Sequence, residues 1–320
     1  MPLVDNDIFR SIYEDLKRDF KSDIYLNEPM ARHTTFRVGG PAAIFLIANS
    51  LEELRKIISL TKKAQTPFLV VGRGSNLLIS DQGFMGIIAR LGPYFGKIVM
   101  DDCHVQAGAS ATLPALVQAT YRGGLKSLAF AVGIPGTLGG ALALNAGAYG
   151  ECIGDLVQRV TLYSHDAELV SLDRSEIHFD YRSSSLNGKG IILEAILRLE
   201  RGDTTRIKIQ MERYFKARKD SQPLNFPSAG SIFKNPPKLL AGRLIEQAGC
   251  KGWREGNAMV SDKHANFIVN LGNARASDIY RLIQNVRNRV LEEKKVLLEP
   301  EINFVGDFED PMSNVHGPES

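Results

Sequence analysis

At 320 residues, 44% hydrophobic and 23% charged, the chain has the composition of a globular protein large enough to bury its own core without a disulfide or metal staple. Its net charge of +3 argues against a broad nucleic-acid surface but leaves room for a local anion pocket. The three cysteines show no C-x-x-C spacing, the six histidines form no cluster, and no run of about 18 apolar residues is present, so reduced thiols, no metal, no membrane span and a cytoplasmic location are expected.

The first twenty residues are amphipathic and lack the apolar core of a signal peptide, which predicts an N-terminal helix. "AAIFLIA" (Ala42 to Ala48) reads as a buried strand. Ser50 and Glu53 then form a capping-box pair ahead of Leu51, Leu54, Ile57 and Ile58 at helical spacing. Pro67 leads into a second strand, "FLVVG", that stops in "GRGSN". A strand, turn and helix follow in "HVQAGASATLPALVQATYRGGL", with Leu113, Leu116 and Val117 on one face and Gly123-Gly124 as the stop. The densest glycine region comes next, "GIPGTLGGALALNAGAYG" (Gly133 to Gly150), and then strand-like runs at "LVQRVTLYS" and "GIILEAILRLE".

Asp203 is a cap for a helix carrying Ile207, Met211, Tyr214 and Phe215, and the basic run Arg206 to Lys219 reads as that helix's polar face. "FPSAGSIFKNPP" (Phe226 to Pro237) opens a distinct C-terminal unit. Its longest helix follows Ser277, with Ile279, Leu282, Ile283, Val286 and Val290 on one face. Trp253 reads as packing, "LLEPEINFVG" as a last extended segment, and Asp307 to Ser320 as a disordered polar tail.

Two glycine-rich loops after apolar runs would let backbone N–H groups approach a ligand closely. Either loop alone is explained as well by turns and tight packing; the pair suits a dinucleotide with a pyrophosphate. The usual devices fail, however. Leu77 stands where G-x-G-x-x-G needs its third glycine, and no glycine loop is followed by Lys-Ser or Lys-Thr. Ala229 and Phe233 replace the glycines of an esterase elbow around Ser231. The residues alone leave Ser231 open as phosphate contact, proton donor or turn hydroxyl.

Six stretches occur in one order: "HTTFRVGGPA", "VGRGSNLL", "GIPGTLGGALALNAGAYG", "YRSS", "PSAGSIFKNP" and "EPEINFVG". Together they resemble the UDP-N-acetylmuramate dehydrogenases, also called UDP-N-acetylenolpyruvoylglucosamine reductases, from about Asn27 to Gly306. The resemblance implies an α+β fold: an FAD-binding domain of the vanillyl-alcohol-oxidase/PCMH type in two parts, 27–92 and 93–202, then an α+β substrate-binding domain over 203–306. A helical segment, 1–26, would precede them and the tail, 307–320, would follow.

It further implies FAD as cofactor, NADPH as reductant and UDP-N-acetylglucosamine enolpyruvate as substrate, in peptidoglycan precursor synthesis, by a monomer. FAD would lie against Thr35, against Gly72, Arg73, Gly74, Ser75, Asn76 and Leu77, and against Gly133, Gly136, Thr137, Gly139, Gly140, Asn145, Ala146 and Gly147. Arg73 departs from a pattern that often has glycine there, and its side chain must point away from the closest backbone approach. By the same resemblance Arg182 would face the substrate carboxylate, Glu301 would cooperate there as a protonated or proton-sharing group, and Ser231 would deliver the proton. Tyr149, Lys219, Lys234 and Asn235 are candidate substrate contacts, with Gln222 close by. The short segment before "PSAGS" resembles the subgroup that lacks a tyrosine loop over the substrate. Two alternatives stay open: another oxidase or dehydrogenase of the same fold, and a nucleotide-sensing module without turnover.

Overall fold

The computed structural model describes residues 7–166 and 168–308, so the tail expected to be disordered lies, from residue 309 onward, outside the described residues. The apolar run Pro41–Ala48 forms a strand with most of its residues buried, in parallel register with Phe84–Leu91 and antiparallel to Ile24–Pro29. Such a strand is covered on both faces and therefore reads as a continuous apolar run rather than an alternating one. Phe68–Val71 completes this four-stranded sheet. The helix Leu51–Lys63 buries Leu54, Ile57 and Ile58 against it, and the N-terminal helix Asp7–Asp19 adds Phe9, Ile12 and Leu16 to the same core. Ser50 caps the 51–63 helix as expected, its hydroxyl accepting from the Glu53 N–H, but the Glu53 carboxylate reaches back to Asn49 N–H and the Ser22 hydroxyl.

A five-stranded antiparallel sheet follows, in the order Leu169–Asp173, Val157–Ser164, Gly190–Arg198, His104–Gly108 and Ile98–Asp101. The helices Leu113–Arg122 and Leu138–Ala143 contribute to its core through Leu113, Leu116, Val117, Leu138 and Leu142. The helix Thr204–Ser221, capped by Asp203, also packs on this second unit, through Met211 and Tyr214. The helix thus packs on the second unit, while the resemblance counts it within the substrate-binding domain over 203–306. Phe215, expected on its apolar face, is 47% exposed.

The third unit places the helices Ala241–Gln247 and Ala276–Lys294 with a small antiparallel sheet, Arg254–Glu255, Ala258–Val260 and Ile268–Asn270. The apolar face of the 276–294 helix is the expected one, with Ile279, Leu282, Ile283, Val286 and Val290 all buried. Its N-terminus receives a carboxylate from the first unit: Ala276 N–H and Ser277 N–H donate to Asp81 at 2.8 and 2.9 Å, where the helix dipole favours negative charge. The chain then returns, and Asn303–Val305 pairs in parallel with Leu77–Ile79, just past the first glycine loop. Phe36, Val38 and Leu78 join the third unit's core, so the first and third units share one apolar cluster. Among the described residues no helix is long and apolar enough to cross a membrane.

Candidate functional site

The two glycine loops meet although some sixty residues separate them. The Ser75 hydroxyl donates to the Pro135 carbonyl at 3.1 Å, and a Cβ on Gly72 would stand 2.6 Å from Thr137 Oγ1. Gly74 has φ +63, and a Cβ there would lie 2.3 Å from the His33 carbonyl oxygen; Thr35 N–H donates to the Gly74 carbonyl. Gly74→Ala therefore combines a left-handed backbone that costs a side-chain residue about 1–2 kcal/mol with a direct clash. The expected result is a protein that loses bound flavin on dilution, at roughly tenfold weaker affinity or worse, read from flavin absorbance per protein. Full flavin retention at wild-type affinity would count against this loop as a cofactor cradle.

Beside these loops opens a cavity of about 1,200 Å³, lined by Thr35, Gly72, Arg73, Thr137, Gly139 and Gly140 of the expected cofactor residues. It exceeds the roughly 300–1,000 Å³ of ordinary small-molecule sites, as a dinucleotide requires. Arg32, Arg37, Lys62, Arg73 and Arg90 line it, and no carboxylate does. Burial, and then the charge of Arg73, pull the Arg90 guanidinium down from its ordinary value; its Nε donates to the Gly72 carbonyl at 3.0 Å. Arg32 and Lys62 are each paired with a carboxylate outside the lining, Glu28 and Asp166, both at 3.5 Å, whereas Arg37, Arg73 and Arg90 have no carboxylate partner among the described residues. These three cations, beside glycines too close to neighbours for a side chain, fit a pyrophosphate well.

The remaining expected cofactor residues divide differently. Asn76 donates its side-chain amide to the Glu301 carbonyl, and Leu77 opens the strand that pairs with Asn303. Asn145 is buried and braced at both ends, donating to the Asp180 carbonyl and accepting from Gly154 N–H. Ala146 N–H donates to the Ala141 carbonyl, Gly136 accepts from Leu113 N–H, and Gly133 lies against Arg218. These residues hold the shape of the loops.

The expected reaction residues converge from three segments. Arg182, in a turn at φ +55, brings Nε to 2.6 Å from Glu301 Oε1, with both side chains mostly shielded. That N–H is not aligned for a hydrogen bond, so the contact is an ion pair by distance. Arg182 Nη1 also donates to the Gly147 carbonyl at 3.3 Å. Ser231 enters through backbone pairing: Glu301 N–H donates to the Ile232 carbonyl at 2.7 Å, and Phe233 bridges to Pro300. Ser231 is half-buried, and its hydroxyl is engaged by no other side chain among the described residues.

Burial pushes the Glu301 carboxyl up from its ordinary range, against the opposing pull of Arg182 and Lys234. A raised folded-state value means that the group's stabilising contribution is complete below the unfolded carboxylate range and is lost as pH rises through the folded value. Compared with Glu301→Gln, the wild-type protein should therefore lose Tm as pH climbs above the ordinary carboxylate range. A Tm difference between the two proteins that does not change with pH would remove this assignment.

Of the four candidate substrate contacts, three border this centre. Tyr149, at φ +57, stacks its ring on Tyr214 at 4.0 Å and donates its hydroxyl to the Tyr214 carbonyl. Lys234 pairs with Glu299, and Asn235 N–H donates to the Tyr181 hydroxyl while its side chain accepts from Ala241 N–H. Lys219 lies apart, lining a smaller cavity of about 390 Å³ with Gln222, Ser261 and Lys263. Two residues went unnoticed in the sequence, Arg90 and Arg218. Nothing in the residue pattern separates Arg218 from the surface cations beside it, yet it is a half-buried arginine with Nε sealed from solvent.

Residues 222–305 match the family model described as UDP-N-acetylenolpyruvoylglucosamine reductase, C-terminal domain, and residues 42–173 match an FAD binding domain. The UDP-N-acetylenolpyruvoylglucosamine reductase of Caldanaerobacter subterraneus is 42% identical over 89% of this chain and 94% of that protein. That of Lachnoclostridium phytofermentans is 39% identical over 94% of this chain and 99% of its own length. The crystal structure of the reductase from Thermus caldophilus matches with a TM-score of 0.77 at 37% identity, covering 89% of this chain and 99% of that one. A Physcomitrella patens BBE-like protein, 12% identical, shares the fold at a TM-score of 0.54 over 88% of both chains. The expected α+β architecture, a flavin-binding domain of PCMH type followed by a C-terminal domain, is the one found.

Proposed function

The chain belongs to the UDP-N-acetylenolpyruvoylglucosamine reductase family, and from that premise we propose that Arg182, Glu301 and Ser231 carry out the second half of its reaction. The enzyme reduces UDP-N-acetylglucosamine enolpyruvate to UDP-N-acetylmuramate, with NADPH as reductant, in peptidoglycan precursor synthesis. This assignment replaces the oxidase and the non-catalytic module that the residues alone left open. FAD, held at the glycine loops by Gly72, Gly74 and Thr137, would supply the hydride chemistry that links NADPH to the terminal vinyl carbon of the enolpyruvyl group.

The protein's part is to hold the substrate and manage charge and proton. Hydride addition turns the vinyl methylene into a methyl and places negative charge on the neighbouring carbon and its carboxylate. Arg182 offers that carboxylate a permanent cation with forked donors. Glu301, kept protonated longer by burial, supplies a further donor to the same oxygens. Ser231 then gives its hydroxyl proton to the carbon that bears the ether oxygen, and solvent reprotonates the serine. A hydroxyl is a weak acid, but a carbanionic centre is a strong enough base to take its proton.

The observation that carries this reading is the Arg182–Glu301 pair at 2.6 Å, with Glu301 bonded by its backbone to the segment that presents Ser231. Lys234 and Asn235 border the same centre and serve the substrate's polar groups. We further assign the enzyme to the cytoplasm as a monomer; one third-unit core already closes on the first unit within a single chain. The test is spectroscopic. The purified protein should be yellow, NADPH should bleach it without oxygen, and the enolpyruvyl substrate should restore the colour. A bleached protein that only oxygen reoxidises would reject the reading.

A further inference from the structure

Arg218 stands on the last turn of the 204–221 helix, and its surroundings set it apart from the rest of that basic run. Its Nε is sealed from solvent and has no hydrogen-bond partner. Among the described residues no carboxylate pairs with it, whereas Lys208 on the same helix has Glu212. The groups around it are the backbone of Gly133, the ring of Phe215 and the phenol of Tyr149. Gly133, at φ +73, leaves the guanidinium room to lie against the main chain, since a Cβ there would come within 3.3 Å of Nε. Burial pulls the guanidinium down from its ordinary value. A partly desolvated cation without a counter-charge weakens the fold, and sites that bind anions are where such a cost is retained.

Arg218 and Arg182 flank one short loop. Arg182 Nη1 donates to the Gly147 carbonyl, and Tyr149, two residues on, stacks on Tyr214, one helical turn before Arg218. The substrate carries two anionic groups, a carboxylate at the enolpyruvyl end and a diphosphate at the nucleotide end. We propose that Arg218 is a further substrate-binding residue, holding the diphosphate of the UDP moiety while Arg182 holds the carboxylate. This rests on the reading of Arg182 given above. A guanidinium without a carboxylate partner offers a diphosphate a charge-assisted, forked contact.

The test uses the flavin-loaded enzyme, with UDP alone as probe and the perturbation of the flavin spectrum as readout. Arg218→Gln and Arg218→Met should weaken UDP binding roughly 10- to 100-fold and raise KM for the enolpyruvyl substrate in step, with kcat within a few-fold. Arg218→Lys should recover part of the loss. Tm of the ligand-free variants should hold or rise, because an unpaired, partly desolvated charge has been removed, whereas a merely structural arginine would lower it. A parallel rise in KM for NADPH, which also carries a diphosphate, would support the assignment. UDP affinity within twofold of wild type, a fall in Tm without loss of UDP affinity, or loss of flavin content would overturn it. If Arg182→Met leaves substrate affinity intact while the Arg218 variants lose UDP, the Arg182 reading fails and the Arg218 assignment stands.

Discussion

Ser231→Ala should lower turnover about 10²- to 10⁴-fold, the range that positioned general acids contribute, while substrate affinity changes little. The backbone around Ser231 is pinned independently of the hydroxyl. Ile232 N–H donates to the Asn266 carbonyl, Phe233 N–H to the Asn266 side chain, and Asn266 donates back to the Phe233 carbonyl at 2.8 Å. Phe233 is 1% exposed and anchors the segment in the third unit's core. The preceding Gly230 takes φ +77, which sets the turn without help from the serine. Alanine therefore removes one oxygen and leaves the loop in place, so Tm should stay within a degree or two. Turnover within threefold of wild type would mean that the proton comes from elsewhere.

Arg182→Met should cost about 10²- to 10³-fold in turnover, the effect of deleting one donor aimed at developing negative charge. Substrate affinity should fall with it, since the carboxylate loses its cation in the ground state as well. The variant also leaves Glu301 without its ion-pair partner in a position where burial already opposes ionisation, so the carboxyl should hold its proton to still higher pH. Arg182→Lys keeps the charge but loses the fork that reaches both the carboxyl side and the Gly147 carbonyl. Its activity should fall between the two. Full activity in the lysine variant would reduce the role of Arg182 to a point charge.

Much of this fold could be read from local pattern. The capping pairs at Ser50 and Asp203, the helical faces of 51–63 and 276–294, and the continuous apolar strand 41–48 follow from nearest-neighbour chemistry and burial. What local pattern could not supply is which distant segments meet. The pairing of Asn303–Val305 with Leu77–Ile79 brings Glu301 back to the first glycine loop, and no periodicity announces a three-residue parallel strand. No local pattern shows either that the fold engages both ends of the Asn145 amide, which donates to the Asp180 carbonyl and accepts from Gly154 N–H. Arg218 was hidden as well: its neighbours on the helix are ordinary solvated cations, and only tertiary packing removes its counter-charge. The candidate reaction residues were visible only through motif resemblance, since a serine after a glycine or an arginine after a tyrosine has no chemical meaning until its partners arrive.

The central claim is that Arg182, Ser231 and Glu301 act on the substrate and leave flavin reduction untouched. Rapid-mixing spectroscopy without oxygen separates the two halves on one sample: NADPH is added first and the bleaching timed, then the enolpyruvyl substrate is added and the return of yellow colour timed. In Ser231→Ala, Arg182→Met and Glu301→Gln, bleaching should proceed at near-native rate and the return of colour should be slow in each. Equal slowing of both phases, or a native rate of colour return, would contradict the account.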